Sequence, residues 1–288
     1  MLMHKAYFIE TLTNTSVGSG DVSFGLVDSL IQKDPNTFLP VFHSSSVKGS
    51  LKEHMENNNL PKDLIKTIFG EGKDNPGQVK FYDARLLTLP LRASKKVYYN
   101  CTSPSTIADY LEALETFCSN TEVGELKKFV NGLNFDGKDF IVFNGEEGLE
   151  IEDYEEPKVE VIRDASKKEL LKRYLGVEAE NTAIFRDKVF KDICESSLPV
   201  IARNKIGEVG TSENLFYEEV LPRRSRLWFM LGFEGVLDTQ FEEKLTSDLI
   251  QFGANYSIGY GVTKISLIQP AASQPDTNKE VADEPKKD

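Results

Sequence analysis

The hydrophobic positions of this chain change period several times along its length, and each change predicts an element. Over residues 5–13, Tyr7, Ile9 and Thr11 alternate with Ala6, Phe8 and Glu10, the period of a strand with a buried face. Further on, Val47, Leu51 and Met55 recur every fourth residue, which predicts a helix with one apolar stripe. Ser46 is its expected N-cap, and Lys48 and Lys52 share another face. Residues 61–69 predict a second short helix closed by Gly70. Residues 77–92 read as one long extended segment, with Pro90 limiting its pairing. Ser103 and Pro104 open a helix through Ile107, Tyr110, Leu111, Leu114, Phe117 and Cys118. Another helix is expected over 122–133, and a short buried strand over 140–143.

In the second half, residues 166–175 and 181–194 predict helices, the latter capped by Asn181. Residues 198–222 read as two strands joined by a polar excursion, an extruded hairpin. A strand over 227–233 follows, then a helix marked by Phe241, Leu245 and Leu249 and closing at Gly253. A last strand over 257–268 carries Gly259 and Gly261. Strands and helices mix without strict alternation, so the expected fold class is α+β. Residues 1–269 are expected to form one domain with insertions. The proline-rich, charged stretch 270–288 lacks aromatics and is expected to be a disordered tail.

With 288 residues and 40% hydrophobic content the chain can build a proper core. Its formal net charge of −12 argues against a free-standing, nonspecific nucleic-acid binder. The acidity is uneven, however. Residues 1–52 carry Lys5, Lys33, Lys48 and Lys52 against Glu10, Asp21, Asp28 and Asp34, and so are neutral. Residues 145–160 hold eight acidic residues against Lys158 alone, a local charge of −7 that reads as an exposed hairpin or loop. Cys101, Cys118 and Cys194 form no CxxC pair, which speaks against a zinc knuckle or a disulfide framework. No basic-then-apolar leader and no long apolar run is present, so a cytoplasmic protein without membrane contact is expected.

Candidate chemistry gathers in residues 14–54. Gly18, Ser19 and Gly20 permit a tight loop or close approach to a ligand, without the full pattern of a dinucleotide or P-loop site. Asp28 interrupts the apolar run of Phe24, Leu26 and Val27. Ser44, Ser45 and Ser46 stand at a helix start, where free amides and the macrodipole favour an anion, and Lys48 stands beside them. A capped surface helix with solvated lysines is the plain alternative.

An ordered set of phrases accompanies this segment: IFG ending at Gly70, GQVKFYDARLLTLPLR from Gly77, CTSP from Cys101, NLFYEEVLP from Asn214 and NYSIGYG from Asn255. Together they resemble the backbone subunit of type III-B (Cmr) CRISPR effector complexes, a family of the RAMP superfamily, over nearly the whole chain to about residue 269. The resemblance implies a ferredoxin-like (RRM-like) core with large insertions and a thumb β-hairpin at about 198–222. It implies an antiviral assembly in which copies of this subunit, with other Cmr subunits, line up along a CRISPR guide RNA. A loop aspartate then cuts complementary target RNA, so the chain would be an endoribonuclease subunit. Carried over by motif, that aspartate is Asp28. The Ser-Ser-x-Lys-Gly guide-binding pattern falls on Ser45, Ser46, Lys48 and Gly49, with Gly18, Ser19, Gly20, Lys52, Gly259 and Gly261 completing the expected guide-RNA contacts.

The implied reaction is attack of a target 2′-hydroxyl on its own phosphate, leaving a 2′,3′-cyclic phosphate and a 5′-hydroxyl. The family's histidine position is Ser16 here, and its usual Pro-Gly before the serine pair is His43-Ser44. Without that imidazole, Asp28 is expected to act as proton acceptor or to hold a divalent metal, Mg²⁺ or Mn²⁺, recruited with bound RNA. Glu218 and Glu219 are candidates to assist. Arg203, Lys205, Arg223, Arg224 and Arg226 are candidates for RNA phosphate contacts, since guanidinium pairs with phosphate bidentately. The competing reading is a structural RNA-binding backbone that never cuts; a stand-alone RNA-processing enzyme is disfavoured by Ser16 and by the acidic charge. Asp28 separates the first two.

Overall fold

A computed structural model describes residues 2–20, 25–72, 75–118, 123–145, 147–156, 161–206 and 212–268. The expected tail, 270–288, and the tip of the hairpin, 207–211, lie outside the described residues. Strand β1 (Leu2–Thr11) runs into a long loop that ends at β2 (Val41–Phe42), α1 (Ser44–Asn57) and α2 (Lys62–Phe69). The small ladder of β3 (Gly70–Glu71) and β4 (Asn75–Pro76) leads to β5 (Lys80–Phe81), β6 (Ala84–Arg92) and β7 (Tyr98–Thr102). Helices α3 (Pro104–Phe117) and α4 (Gly124–Asn131) precede β8 (Phe140–Val142) and the hairpin of β9 (Leu149–Ile151) and β10 (Tyr154–Glu156). Then come α5 (Ala165–Leu175), β11 (Thr182–Phe185), α6 (Asp187–Ser196), and the hairpin of β12 (Val200–Ile206) and β13 (Ser212–Glu219). Strand β14 (Arg226–Glu234), α7 (Thr239–Ser247), β15 (Leu249–Gln251) and β16 (Val262–Leu267) complete the order.

One sheet organises these pieces, in the order β15-β16-β1-β14-β6-β7-β11-β8. Its centre, β16-β1-β14-β6, is antiparallel throughout, with α1 between β1 and β6 and α7 between β14 and β16. That is the split βαβ arrangement of a ferredoxin-like core. Both faces of β1 are covered. Tyr7 and Ile9 point into a cluster with Val47, Leu51 and Met55 of α1 and Phe241 and Leu245 of α7. Ala6 and Phe8 point into a second cluster with Ile107, Tyr110 and Leu111 of α3 and Leu171 of α5. The period-two reading of the first strand therefore holds, with apolar residues on both sides.

Several boundaries differ from expectation. Thr182–Phe185 is not helical: it is a wholly buried strand, parallel to β7 and antiparallel to β8, and only Asp187 begins the helix. Short buried strands read as continuous apolar runs, which periodicity alone does not tell from helix. Segment 77–92 is broken at Tyr82 and Asp83, so β5 pairs with β14 separately from β6. Helix α7 stops at Ser247, because the chain turns into β15 to pair with β16; Leu249 is exposed there and Ile250 takes the core position. The acidic hairpin β9–β10 is only partly solvated: Leu149 and Ile151 are fully buried, and Glu152 pairs with Arg92 at 2.6 Å. The three cysteines are free; Cys101 and Cys194 are buried, and burial pushes both thiols up. Among the described residues no helix is long and apolar enough to cross a membrane.

Phe229 in β14 is fully buried at the centre of the sheet and meets Tyr7 with ring centroids 5.5 Å apart. Phe229→Ala is expected to lower unfolding stability by about 3–5 kcal/mol, read as a shifted urea midpoint with an unchanged slope.

Candidate nucleic-acid interface

The loop after β1 is closed by backbone pairing. Thr15 and Leu221 exchange N–H···O bonds of 2.9 Å each, and Ser19 N donates to Leu30 O at 2.9 Å. Gln32 N donates to Val17 O at 2.9 Å, so the arms 15–19 and 29–33 lie side by side. Gly18 bridges Ile31 in this ladder, and Gly20 has φ 79°, the left-handed region where glycine carries no Cβ penalty. Gln32 then fastens the paired arms to the start of α1. Its Oε1 accepts from His43 N at 2.8 Å, and its Nε2 donates to Gly18 O at 3.2 Å and to Ser46 Oγ at 3.0 Å.

Asp28 is exposed on this loop and faces the hairpin. Its backbone N–H donates to Tyr217 O at 2.9 Å, and its Oδ2 accepts from Tyr217 N at 2.7 Å. This docks Asp28 on the edge of β13 and leaves Oδ1 without a protein partner among the described residues. The two glutamates that follow Tyr217 are already committed. Glu218, 4% exposed, accepts from Arg203 Nη1 at 3.0 Å and from Asn255 Nδ2 at 2.7 Å. Glu219, 5% exposed, accepts from Ile31 N at 3.1 Å and from Lys33 Nζ at 3.1 Å. Both were candidates to assist the chemistry; here they hold the neighbouring loops to the hairpin, and neither presents a free carboxylate.

The start of α1 is built differently from the sequence expectation. Ser46 is not the N-cap: the helix begins at Ser44 after His43, whose side chain makes no cap hydrogen bond. Asp83 supplies the missing acceptor from across the sheet, with Ser44 N donating to Asp83 Oδ1 at 2.6 Å. A carboxylate at a helix N-terminus satisfies an amide and the macrodipole together, so the helix can start three residues earlier. Ser45 is exposed at the next turn. Lys48 lies with Nζ 6.0 Å from the Phe81 ring centroid, and Lys52 pairs loosely with Glu56 at 3.8 Å. Gly49 is exposed within the helix, and an added Cβ would meet nothing within 4 Å. A mid-helix glycine costs roughly 0.5–1 kcal/mol relative to alanine. Its bare backbone leaves room for a ligand to come close.

The basic candidates divide. Arg223 and Arg224 are exposed; Arg224 lies over Tyr98 at 5.5 Å, and Arg223 N donates to Asn14 Oδ1 at 3.2 Å. Arg203 is engaged with Glu218 and lies over Phe216 at 5.1 Å, and the side chain of Lys205 is outside the described residues. Arg226 is engaged with protein groups. It pairs with Glu10 at 2.9 Å, donates to the carbonyls of Leu175 and Gly176 and covers Phe8, closing the C-terminus of α5. Gly261 is also structural, since a Cβ there would overlap the carbonyl of Phe252, whereas Gly259 stands in open space.

Gln32, Lys33, Asp83 and Asn255 went unnoticed in the sequence. Each sits among ordinary neighbours, and only partners far along the chain give them their work. One local signal existed: Asn255 stands two residues after Gly253 and four before Gly259, and in the structure it takes φ 68°, in the left-handed region where asparagine is tolerated.

The RAMP superfamily pattern matches residues 8–264. The chain is 29% identical, over 91% of its length and 96% of the relative's, to the CRISPR system Cmr endoribonuclease Cmr4 of Pyrococcus furiosus. Its fold is similar to oligomeric Cmr4 from Pyrococcus furiosus, with a TM-score of 0.66 and 23% identity over 93% of this chain and 98% of that one. It is similar also to a chain of type III-B Cmr-beta bound to cognate target RNA, with a TM-score of 0.71 and 19% identity over 92% and 97% of the two chains. With the pattern running from β1 into β16, across the split βαβ core and the hairpin that holds Asp28, the chain belongs to the RAMP superfamily.

Proposed function

We propose that this chain is the repeating backbone subunit of a type III-B CRISPR effector, binding guide RNA and cutting complementary target RNA. One observation carries the reading: Asp28 presents a carboxylate oxygen free of partners among the described residues, from a loop docked on the β12–β13 hairpin, in a chain similar along nearly its whole length to a Cmr endoribonuclease. The partners are the guide RNA, the target RNA, further copies of this chain and other Cmr subunits. Reduced cysteines fit work in the cytoplasm.

The guide side is the face of α1 that carries Ser45, Ser46, Lys48 and Gly49, with the Gly18–Gly20 turn beside it. Exposed amides and Lys48 neutralise phosphate without reading bases, and base pairing supplies sequence. The cutting side is Asp28. Held by Tyr217 at both its backbone and its Oδ2, the carboxylate keeps one oxygen to take the proton of the attacking 2′-hydroxyl. The 2′-oxygen then bonds to the adjacent phosphorus as the bond to the 5′-oxygen of the next nucleotide breaks, and that oxygen takes a proton from solvent, leaving a 2′,3′-cyclic phosphate and a 5′-hydroxyl. The described residues contain no group of three metal-ligating side chains, and Glu218 and Glu219 are occupied. Asp28 therefore fits Mg²⁺ or Mn²⁺ only as a single protein ligand, with water and RNA oxygens completing the shell. Such an ion supplies charge to the phosphate.

Asp28→Ala is expected to abolish cutting of complementary RNA by the complex, while target affinity stays within about twofold. EDTA is expected to stop wild-type cutting equally. Wild-type cleavage by the Asp28→Ala complex, with bound target verified, would leave the non-cutting RNA-binding backbone as the reading.

Lys48→Ala should weaken RNA retention for every guide sequence and reduce the salt slope by about one. An unchanged slope in filter binding would mean that Lys48 is merely solvated.

Lys33→Met strips Glu219 of its cation, and breaking a buried pair from one side costs on the order of 3 kcal/mol. Lys33→Met should accordingly loosen the Asp28 loop and lower the single-turnover cutting rate. Adding Glu219→Gln, which still accepts from Ile31 N, should restore most of the stability and rate. A double variant as impaired as Lys33→Met alone would count against the pair as the cause.

A further inference from the structure

The turn that follows β15 presents an aromatic side chain outward. Tyr256 is 76% exposed, and Ile258 on the same turn, Tyr256–Ile258, is 52% exposed. A lone exposed aromatic is ordinary on a protein surface. This one differs in its mounting. Ala254 N donates to Ser16 O at 2.9 Å, Gly261 N donates to Asn14 O at 2.8 Å, and Phe252 N donates to Gly261 O at 2.9 Å. Asn255 adds the side-chain bond of 2.7 Å to buried Glu218. At Gly253, φ 76°, a Cβ would overlap the Ser16 carbonyl, so the turn is pressed directly onto the arm that leads to Gly18 and Ser19. The ring is thus held out from a fixed base.

We propose that Tyr256, together with Ile258, is a stacking platform for one nucleobase of the bound RNA, and so helps set which nucleotide lies at Asp28. This rests on the RNA-binding reading above. A short path of contacts joins the two residues. Asp28 is bonded to Tyr217, Glu218 follows Tyr217 in β13, Glu218 accepts from Asn255, and Tyr256 is the next residue. The occupant follows from size and place. Two exposed side chains on one turn match the face of a single ring, whereas a protein partner requires about 800 Å² on each side. The turn is also continuous with the loop arms and the hairpin that flank Asp28. A base needs no charge to sit there and every base has a π-face, so the contact adds affinity without adding sequence preference.

The test is equilibrium binding of a fluorescently labelled guide RNA to the effector complex assembled from the full-length chain, across a salt series, with thermal melting of the chain as a folding check. Tyr256→Ala should weaken binding about fivefold to hundredfold, and Tyr256→Phe should stay within about twofold of wild type, since the ring is what stacks. The salt slope of Tyr256→Ala should equal that of wild type, in contrast to Lys48→Ala, because no phosphate charge is lost. Wild-type affinity in a folded Tyr256→Ala overturns the platform while leaving the RNA-binding reading intact. Absence of guide-RNA binding by the wild-type complex overturns both. Light scattering on RNA-free samples adds a last arm: a change of oligomer size in Tyr256→Ala overturns the proposal in favour of a contact between copies.

Discussion

The site depends on two neighbouring carboxylates that leave one strand in opposite directions. Successive side chains of a strand point to opposite faces, so Glu218 and Glu219 of β13 reach different loops. Glu218 joins Arg203 and Asn255, and Glu219 joins Lys33 and the amide of Ile31. The hairpin is thereby fixed between the turn that bears Tyr256 and the loop that bears Asp28. Burying a carboxylate costs several kcal/mol unless a cation and hydrogen bonds answer it, and here each has both. What this arrangement secures is geometry: an otherwise exposed aspartate is held against Tyr217 by its backbone N–H and one carboxylate oxygen.

Charge follows the same economy. The chain is strongly acidic, yet several of its carboxylates are engaged with partners inside the protein. Glu152 pairs with Arg92, Asp109 with Arg85, and Glu156 accepts from Asp139 N. The face with Ser45, Lys48 and Gly49 has no carboxylate among those residues. Overall negative charge disfavours nonspecific nucleic acid, while helix-start amides with a lysine beside them favour an anion locally. A subunit that takes sequence from a guide by base pairing needs no more than that.

Much of this was legible in the chain itself. The stripe of Val47, Leu51 and Met55, the opening of α3 at Ser103 and Pro104, the stop at Gly70 and the hairpin after Val200 are local signals, each produced by a few adjacent residues. Asp28 stood out because a carboxylate in an apolar run is locally anomalous. Elements that take their identity from distant partners were harder to read. Thr182–Phe185 becomes a strand because β7 and β8 flank it, and α1 begins at Ser44 because Asp83 arrives to cap it.

The sequence by itself therefore determined the class of fold, the periodic helices and strands, and the residue types gathered near Asp28. Tertiary structure alone decided which of them are free. Arg226, Glu218 and Glu219 are ionisable groups whose character suggests solvent or substrate, but partners between 15 and 216 residues away occupy them. Hydrogen bonds and ion pairs act over about 3 Å of space regardless of separation along the chain, so only folding reveals which polar groups are already satisfied and which remain to meet a ligand.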